Sequence, residues 1–527
     1  MSDKYDIVII GSGAGGATLA HRLAPSGLRV LVLERGDYVP REQENTDPRE
    51  VFECKRYQAA ETWHDRHGQP FSPYTHYCVG GNTKFYGAAL LRMREHDFGE
   101  VRHYGGVSPA WPITYNELEP YYTEAEHLYS VRGLRGSDPC EPWASAPFDD
   151  APLEPEPRIA ELMQQLRATG LRPFPIPLGI RPDMAGPATA PVRLGNFDGY
   201  PDPTETKADA HVSALRPALL RPTMTLLTRA RAIRLETDSA GDSIERVIVE
   251  RDGERHEFRA RAFVLACGAI NSAALLLRSA CAGHPRGLAN SSGMVGRCYM
   301  SHQNGCFIAV YDHPNPSRFQ KHFGLTDFYS GDPDDGHGAL PLGTIQLMGR
   351  PDRGTLEWIK GDALPDQSVD RIKSRTVDFF LTAEDLPDPA NRVELMPDGA
   401  VSLSYTPNNT EAYDRLVHRF TRALQEAARR AGHQPPACLT ARLGISGVSH
   451  QSGTLRFGRD PRDSVLDVNC KAHDLDNLYA VDASFFPSSA AVNPSLTIMA
   501  NALRVGDHLI ERLGARAVAC AAQEVAS

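Results

Sequence analysis

The sequence predicts an α/β chain: a Rossmann-like domain with a parallel sheet, assembled from distant stretches, carries an inserted α+β domain built on an antiparallel sheet. Three observations carry this expectation. The apolar run Tyr5-Asp6-Ile7-Val8-Ile9-Ile10 leads straight into Gly11-Ser12-Gly13-Ala14-Gly15-Gly16. Two more apolar runs, Phe263-Val264-Leu265-Ala266 and Leu478-Tyr479-Ala480-Val481, stop at Cys267-Gly268 and at Asp482. Between residues 300 and 445, aromatic and polar residues mix without runs of that kind.

Each element has its reason. A strand covered on both faces reads as a continuous apolar run rather than an alternation, which suits Tyr5 to Ile10. Gly11, Gly13 and Gly16 occupy the G-x-G-x-x-G positions, and Ala17 to Leu23 continues as a helix. Such glycines allow a tight turn, a close approach to a pyrophosphate, and the packing of helix on strand. The helix start adds free N–H groups and partial positive charge. A second strand, Leu28 to Leu33, ends in Glu34, an acid about twenty residues past the glycines where a ribose hydroxyl pair is held. The pattern predicts a bound dinucleotide but does not choose between FAD and NAD.

Further along, Val79 to Gly87 forms a second glycine-bracketed turn before the apolar Ala88 to Leu91. Residues 101–205 are rich in Pro, Gly and acids, and Trp111-Pro112-Ile113-Thr114 leads into a helix. Leu226-Leu227, Ala232 to Leu235 and Val247 to Glu250 predict a small antiparallel sheet with a turn near Gly241. Helices are expected at Asn271 to Ser279 and Leu496 to Leu509. Residues 1–100, 206–300 and 446–527 are thus assigned to the nucleotide domain, and 101–205 and 301–445 to the substrate domain.

Composition narrows the function. The 527 residues are 41% hydrophobic and 23% charged, ordinary for a globular chain. Fifty-six basic and 66 acidic residues give a net charge of −10, which argues against nucleic acid or an anionic membrane as partner. Ten cysteines form no C-x-x-C pair, and no metal-ligand spacing occurs; His64 and His67 lack a third ligand. Free thiols, a first strand beginning at Tyr5 and no apolar run near ~18 residues predict a cytoplasmic protein. Oligomeric state is left open.

The chain resembles the glucose–methanol–choline (GMC) oxidoreductases. The matching pieces are Gly11 to Gly16, Gly80-Gly81-Asn82-Thr83, Trp111-Pro112-Ile113, Cys267 to Ser272, Val295-Gly296-Arg297, Asn391-Arg392-Val393 and the block from His450 to Asn501. The resemblance implies FAD and oxidation of an alcohol to a carbonyl, with His450 as base and Asn493 donating a hydrogen bond to the same oxygen. A histidine suits a base because its unperturbed pKa lies near working pH. It further implies FAD contacts from Gly11, Ser12, Gly13, Ala14, Gly15, Gly16, Glu34, Arg35, Gly81, Asn82, Thr83, Ala266, Asp482, Ala483, Asn493 and Thr497. Lys84 either polarises the flavin or is solvated. Members with covalent flavin usually carry a histidine four residues after the double glycine; here that position is Phe85, so FAD is expected to be non-covalent. Trp111 and Phe319-Gln320-Lys321 resemble the branch of pyranose oxidases and glycoside 3-oxidases. The expected substrate is therefore a sugar or glycoside, with Gln320, Lys321 and Gln346 as candidate contacts and O2 or another acceptor reoxidising the flavin. His302 and His473 read as structural. The alternatives are a non-sugar alcohol such as choline, a sterol or an aryl alcohol, or a flavoprotein subunit without catalysis.

Overall fold

A computed structural model of the chain describes residues 4–181, 197–332, 339–350, 353–360, 366–447 and 449–515. Its main sheet has seven strands, with Met224–Leu227, Val30–Leu33, Lys4–Ile10, Glu254–Leu265, Ile244–Arg251 and Ala230–Thr237 side by side. Leu478–Ala480 pairs with Glu254–Leu265 as well. Lys4–Ile10 lies parallel to both Val30–Leu33 and the end of Glu254–Leu265. The long strand Glu254–Leu265 changes role along its length. Its first half is exposed to half-buried and pairs antiparallel with Ile244–Arg251, whereas Ala262 to Leu265 are buried and join the parallel sheet. A partly exposed stretch suits a half-covered ribbon, and an apolar run suits the interior.

The expected antiparallel ribbon forms from Ala230–Thr237 and Ile244–Arg251, but without Leu226-Leu227. Those two residues belong to a parallel edge strand on Val30–Leu33. A pair of apolar residues carries no period, so its partner could not be read from the sequence.

Ala14–Leu23 packs against the last helix, Ser495–Arg512, and so does Tyr115–Leu128. The Thr114–Glu117 capping box starts Tyr115–Leu128. Hydroxyl contacts of 2.7 Å tie Tyr122 to Thr497 and Tyr129 to Thr18. The same helix holds the buried Arg92, whose guanidinium donates to Glu126 (2.7 and 2.8 Å), Glu119 (3.0 Å), the Tyr115 hydroxyl (2.9 Å) and the Thr123 hydroxyl (2.9 Å). Breaking a buried ion pair from one side leaves the other charge uncompensated, at a cost of roughly 3–5 kcal/mol. Arg92→Met is expected to lower stability by about that amount, visible as a lower urea midpoint with an unchanged slope.

A six-stranded antiparallel sheet, Ala437–Arg442, Gln303–Val310, Thr376–Ala383, Thr344–Leu347, Phe323–Leu325 and Phe174–Pro175, forms the second layer. Its two faces alternate along each strand. Phe307, Phe379, Leu381, Ile345 and Leu347 pack beneath the helices Pro157–Ala168 and Thr410–Arg430. Asn304, Cys306, Phe380 and Gln346 point the other way and line a cavity shared with the parallel sheet. Gln346 is in register with Phe380, and Phe380 with Cys306.

Candidate active site

The cavity measures about 530 Å³ and lies where the parallel strands end, the position at which open α/β sheets hold ligands. Gly11 to Gly15, Glu34, Ala266 to Gly268 and Asp482, with Ala483 beside it, line that side. Gly11 has φ +108°, and a Cβ there would lie 2.2 Å from the Ala266 carbonyl oxygen. At Gly13 a Cβ would meet nothing within 4 Å, so its backbone is open to a ligand. Gly16 does not line the cavity; its added Cβ would lie 2.0 Å from the Gly11 oxygen, where helix packs on strand as the motif requires. The helix Ala14–Leu23 has no acid in its first turn, leaving its N-terminus free to attract phosphate.

Glu34 is buried and accepts from the Ser12 backbone (3.1 Å), the Ser12 hydroxyl (2.5 Å) and the Gly36 backbone (2.9 Å). Burial pushes its carboxyl above the usual range against the pull of those bonds. Next to it, Arg35 pairs with Glu61 and lies 4.0 Å from the Tyr77 ring centre. Across the cavity the buried Asp482 accepts from the Gly268 backbone (3.0 Å), the Ser272 hydroxyl and the Ser484 backbone (2.9 Å). That carboxylate caps the short 3₁₀ turn Ala483–Phe485.

The second glycine turn rests on the first. Gly80 donates to the Ser12 hydroxyl at 3.2 Å, and an added Cβ at Gly81 would lie 3.1 Å from the Gly13 Cα. Gly81, Asn82 and Thr83 line the cavity. Lys84 does not; its ammonium pairs with Asp209 at 2.9 Å, which is neither of the expected roles. Phe85 does, and its ring stacks on His76 with centres 3.7 Å apart. Burial lowers His76 to about 4, so it is a neutral ring beside Phe85.

His450 and Asn493 both line the cavity, His450 edge-on to Phe380 of the antiparallel sheet with ring centres 6.0 Å apart. Asn493 Oδ1 accepts from Gln346 Nε2 at 3.0 Å. Gln346 Oε1 is buried and has no partner. Lys321 pairs there with Asp198, which also accepts from the Gly349 backbone at 2.8 Å. His450 Nδ1 lies 3.0 Å from His302 Nδ1, and the His302 Nε2 lies 3.1 Å from the Ser489 carbonyl. Burial, then His302 and Lys321, hold the His450 pKa well below its ordinary value.

Besides Gly16, two residues expected to make contacts lie elsewhere. Thr497 is buried, engaged with Tyr122, and outside the lining. Gln320 donates to Asp378 at 3.0 Å and accepts from Asn315 at 3.3 Å, outside the cavity lining. Trp111 is core packing: its ring meets Phe457, Phe485 and Phe486, and its indole donates to Ser488 at 2.9 Å. Conversely, His76, Asp198, Asn304 and Phe380 line the cavity without having been expected, and His302 backs it. No local signal marks them, because each reaches the site through long-range strand pairing or loop packing.

The donor set suits FAD: an acid for ribose hydroxyls, helix N–H groups for a pyrophosphate, and polar groups running on towards Asn493. Family comparison agrees. GMC oxidoreductase models match residues 76–304 and 387–502, and an NAD(P)-binding Rossmann-like domain model matches 9–55. The chain is 34% identical to the 6'''-hydroxyparomomycin C oxidase of Streptomyces lividus, over 97% of this chain and 92% of that protein. It is 32% identical to the paromamine 6'-oxidase of Streptomyces fradiae, over 95% and 90%. The crystal structure of pyridoxine 4-oxidase from Mesorbium loti shares the fold, with a TM-score of 0.66 at 20% identity over 96% of this chain and 99% of that one. The chain is thus an FAD-binding member of the GMC oxidoreductase family, an enzyme acting on CH–OH groups.

Proposed function

We propose that the enzyme oxidises an alcohol group of a sugar or glycoside to the carbonyl. The observation that carries this is the wall on which His450, Asn493 and Gln346 stand together beside the FAD cavity. The two aminoglycoside oxidases among its relatives support the same substrate class. When bound, FAD supplies the hydride acceptor. His450 takes the hydroxyl proton as the carbon–hydrogen bond breaks. Asn493, whose Oδ1 is occupied by Gln346, turns its amide N–H groups to the substrate oxygen and stabilises the charge growing there. The unpartnered Gln346 Oε1 accepts from a neighbouring substrate hydroxyl, since a buried acceptor without a donor is costly. Lys321 faces the same space; of Trp111 and Phe319-Gln320-Lys321, which carry the finer resemblance to pyranose oxidases and glycoside 3-oxidases, it alone lines the cavity. Phe85 supports non-covalent FAD. The nine described cysteines are free, in keeping with a reducing cytoplasm.

Phe380, Met348 and Leu443 on the same lining favour a second reading, a less polar alcohol. Anaerobic bleaching of the flavin against sugars, glycosides, choline and aryl alcohols separates the two. Bleaching by sugars or glycosides is expected; bleaching by aryl alcohols or choline alone would overturn the sugar assignment. Gln346→Met is expected to raise KM for the sugar about tenfold, equivalent to ~1.4 kcal/mol, with little change for an alcohol lacking a second hydroxyl.

A further inference from the structure

We infer that His302 is a positioning residue that holds His450 in the tautomer a base requires, with Nδ1 protonated and Nε2 free. The inference rests on the reading of His450 as base, and the hydrogen-bond chain carries it. The Ser489 carbonyl can only accept, so His302 Nε2, 3.1 Å away, carries a hydrogen. His302 is buried, and burial lowers its pKa; a neutral imidazole has one N–H, so its Nδ1 is a bare acceptor. The 3.0 Å between the two Nδ1 atoms then requires the hydrogen to sit on His450. The rings meet at 89°, edge to face. His450 Nε2 is left as the basic nitrogen on a residue that lines the cavity.

The surroundings keep the pair in this state. Lys321 acts on His450 and opposes a positive charge on it at rest. Glu384 acts on His302 from behind, but that carboxylate is already engaged by His103 (3.1 Å) and the Ser108 hydroxyl (2.5 Å). His302 also has φ +62°, a left-handed backbone that a non-glycine residue keeps only where surrounding structure imposes it. Once His450 takes the substrate proton, its Nδ1–H still donates to His302. The ring therefore need not turn during the reaction.

The test uses FAD-loaded enzyme and two substitutions. In His302→Asn, Oδ1 can still accept from His450; in His302→Leu nothing can. Anaerobic stopped-flow is expected to show flavin reduction slowed about 10²-fold in His302→Leu, the lower range for a positioned base, with KM little changed and most of the rate restored in His302→Asn. In ¹⁵N-histidine-labelled wild type, the ring signals lost in His450→Ala are expected to report hydrogen on Nδ1. A hydrogen on Nε2 would overturn the proposal without any His302 variant. So would a wild-type rate in His302→Leu, or an Asn variant as slow as the Leu one. If His450→Ala itself reduces at the wild-type rate, the base assignment fails, and that outcome is distinct from the others.

Discussion

His450→Ala is expected to slow anaerobic flavin reduction by about 10²–10⁴-fold, the range a positioned general base contributes, while FAD content stays at the wild-type level. The expectation follows from where the ring sits. It shares the cavity with Asn493 and Gln346, neither of which can take a proton at neutral pH, and its Nδ1 is engaged by His302. Asp198 and Lys321 neutralise one another. A base acts only when deprotonated, and burial, His302 and Lys321 all lower the His450 pKa. The active form is therefore present above that depressed value. kcat/KM is expected to stay flat through the ordinary histidine range near 6.5 and to fall only on further acidification. An acidic limb centred at or above that range, absent from the Ala variant, would contradict the account of the charge environment.

Gly11→Ala and Gly13→Ala are expected to fail in different ways, although they stand two residues apart in one motif. At Gly11 the added methyl would lie 2.2 Å from a backbone oxygen, on a residue with φ +108°. Neither the parallel strand pairing Ile10 with Leu265 nor the turn can move aside, so little folded holoenzyme should accumulate. At Gly13 the methyl meets no protein atom within 4 Å and occupies ligand space instead. Gly13→Ala should fold, keep the thermal midpoint of the flavin-free protein, and bind FAD at least about tenfold more weakly, a loss of ~1.4 kcal/mol or more. Titration of the flavin-free variants with FAD, read alongside circular dichroism, separates the two. Equal FAD affinity in Gly13→Ala and wild type would mean that the pyrophosphate does not approach that backbone.

The parts of this protein that its sequence determined unaided are those whose physics is local. Continuous apolar runs mark Lys4–Ile10 and Leu478–Ala480 as buried strands because both faces of such a strand are covered. The glycines past Ile10 mark a turn because a residue without a Cβ readily takes the left-handed backbone found at Gly11. Family resemblance extended this to His450, Asn493 and FAD. Only the tertiary structure decided what depends on partners hundreds of residues away. It assigned Gln346 rather than Gln320 to the cavity, because the two-residue period of Thr344–Leu347 aims Gln346 inward, whereas Gln320 is held by Asp378 and Asn315. It turned Lys84 to Asp209 and Trp111 into the aromatic core. It set His302 behind His450, where two neutral rings with one hydrogen between them can be recognised only once the Ser489 carbonyl is seen to take the other.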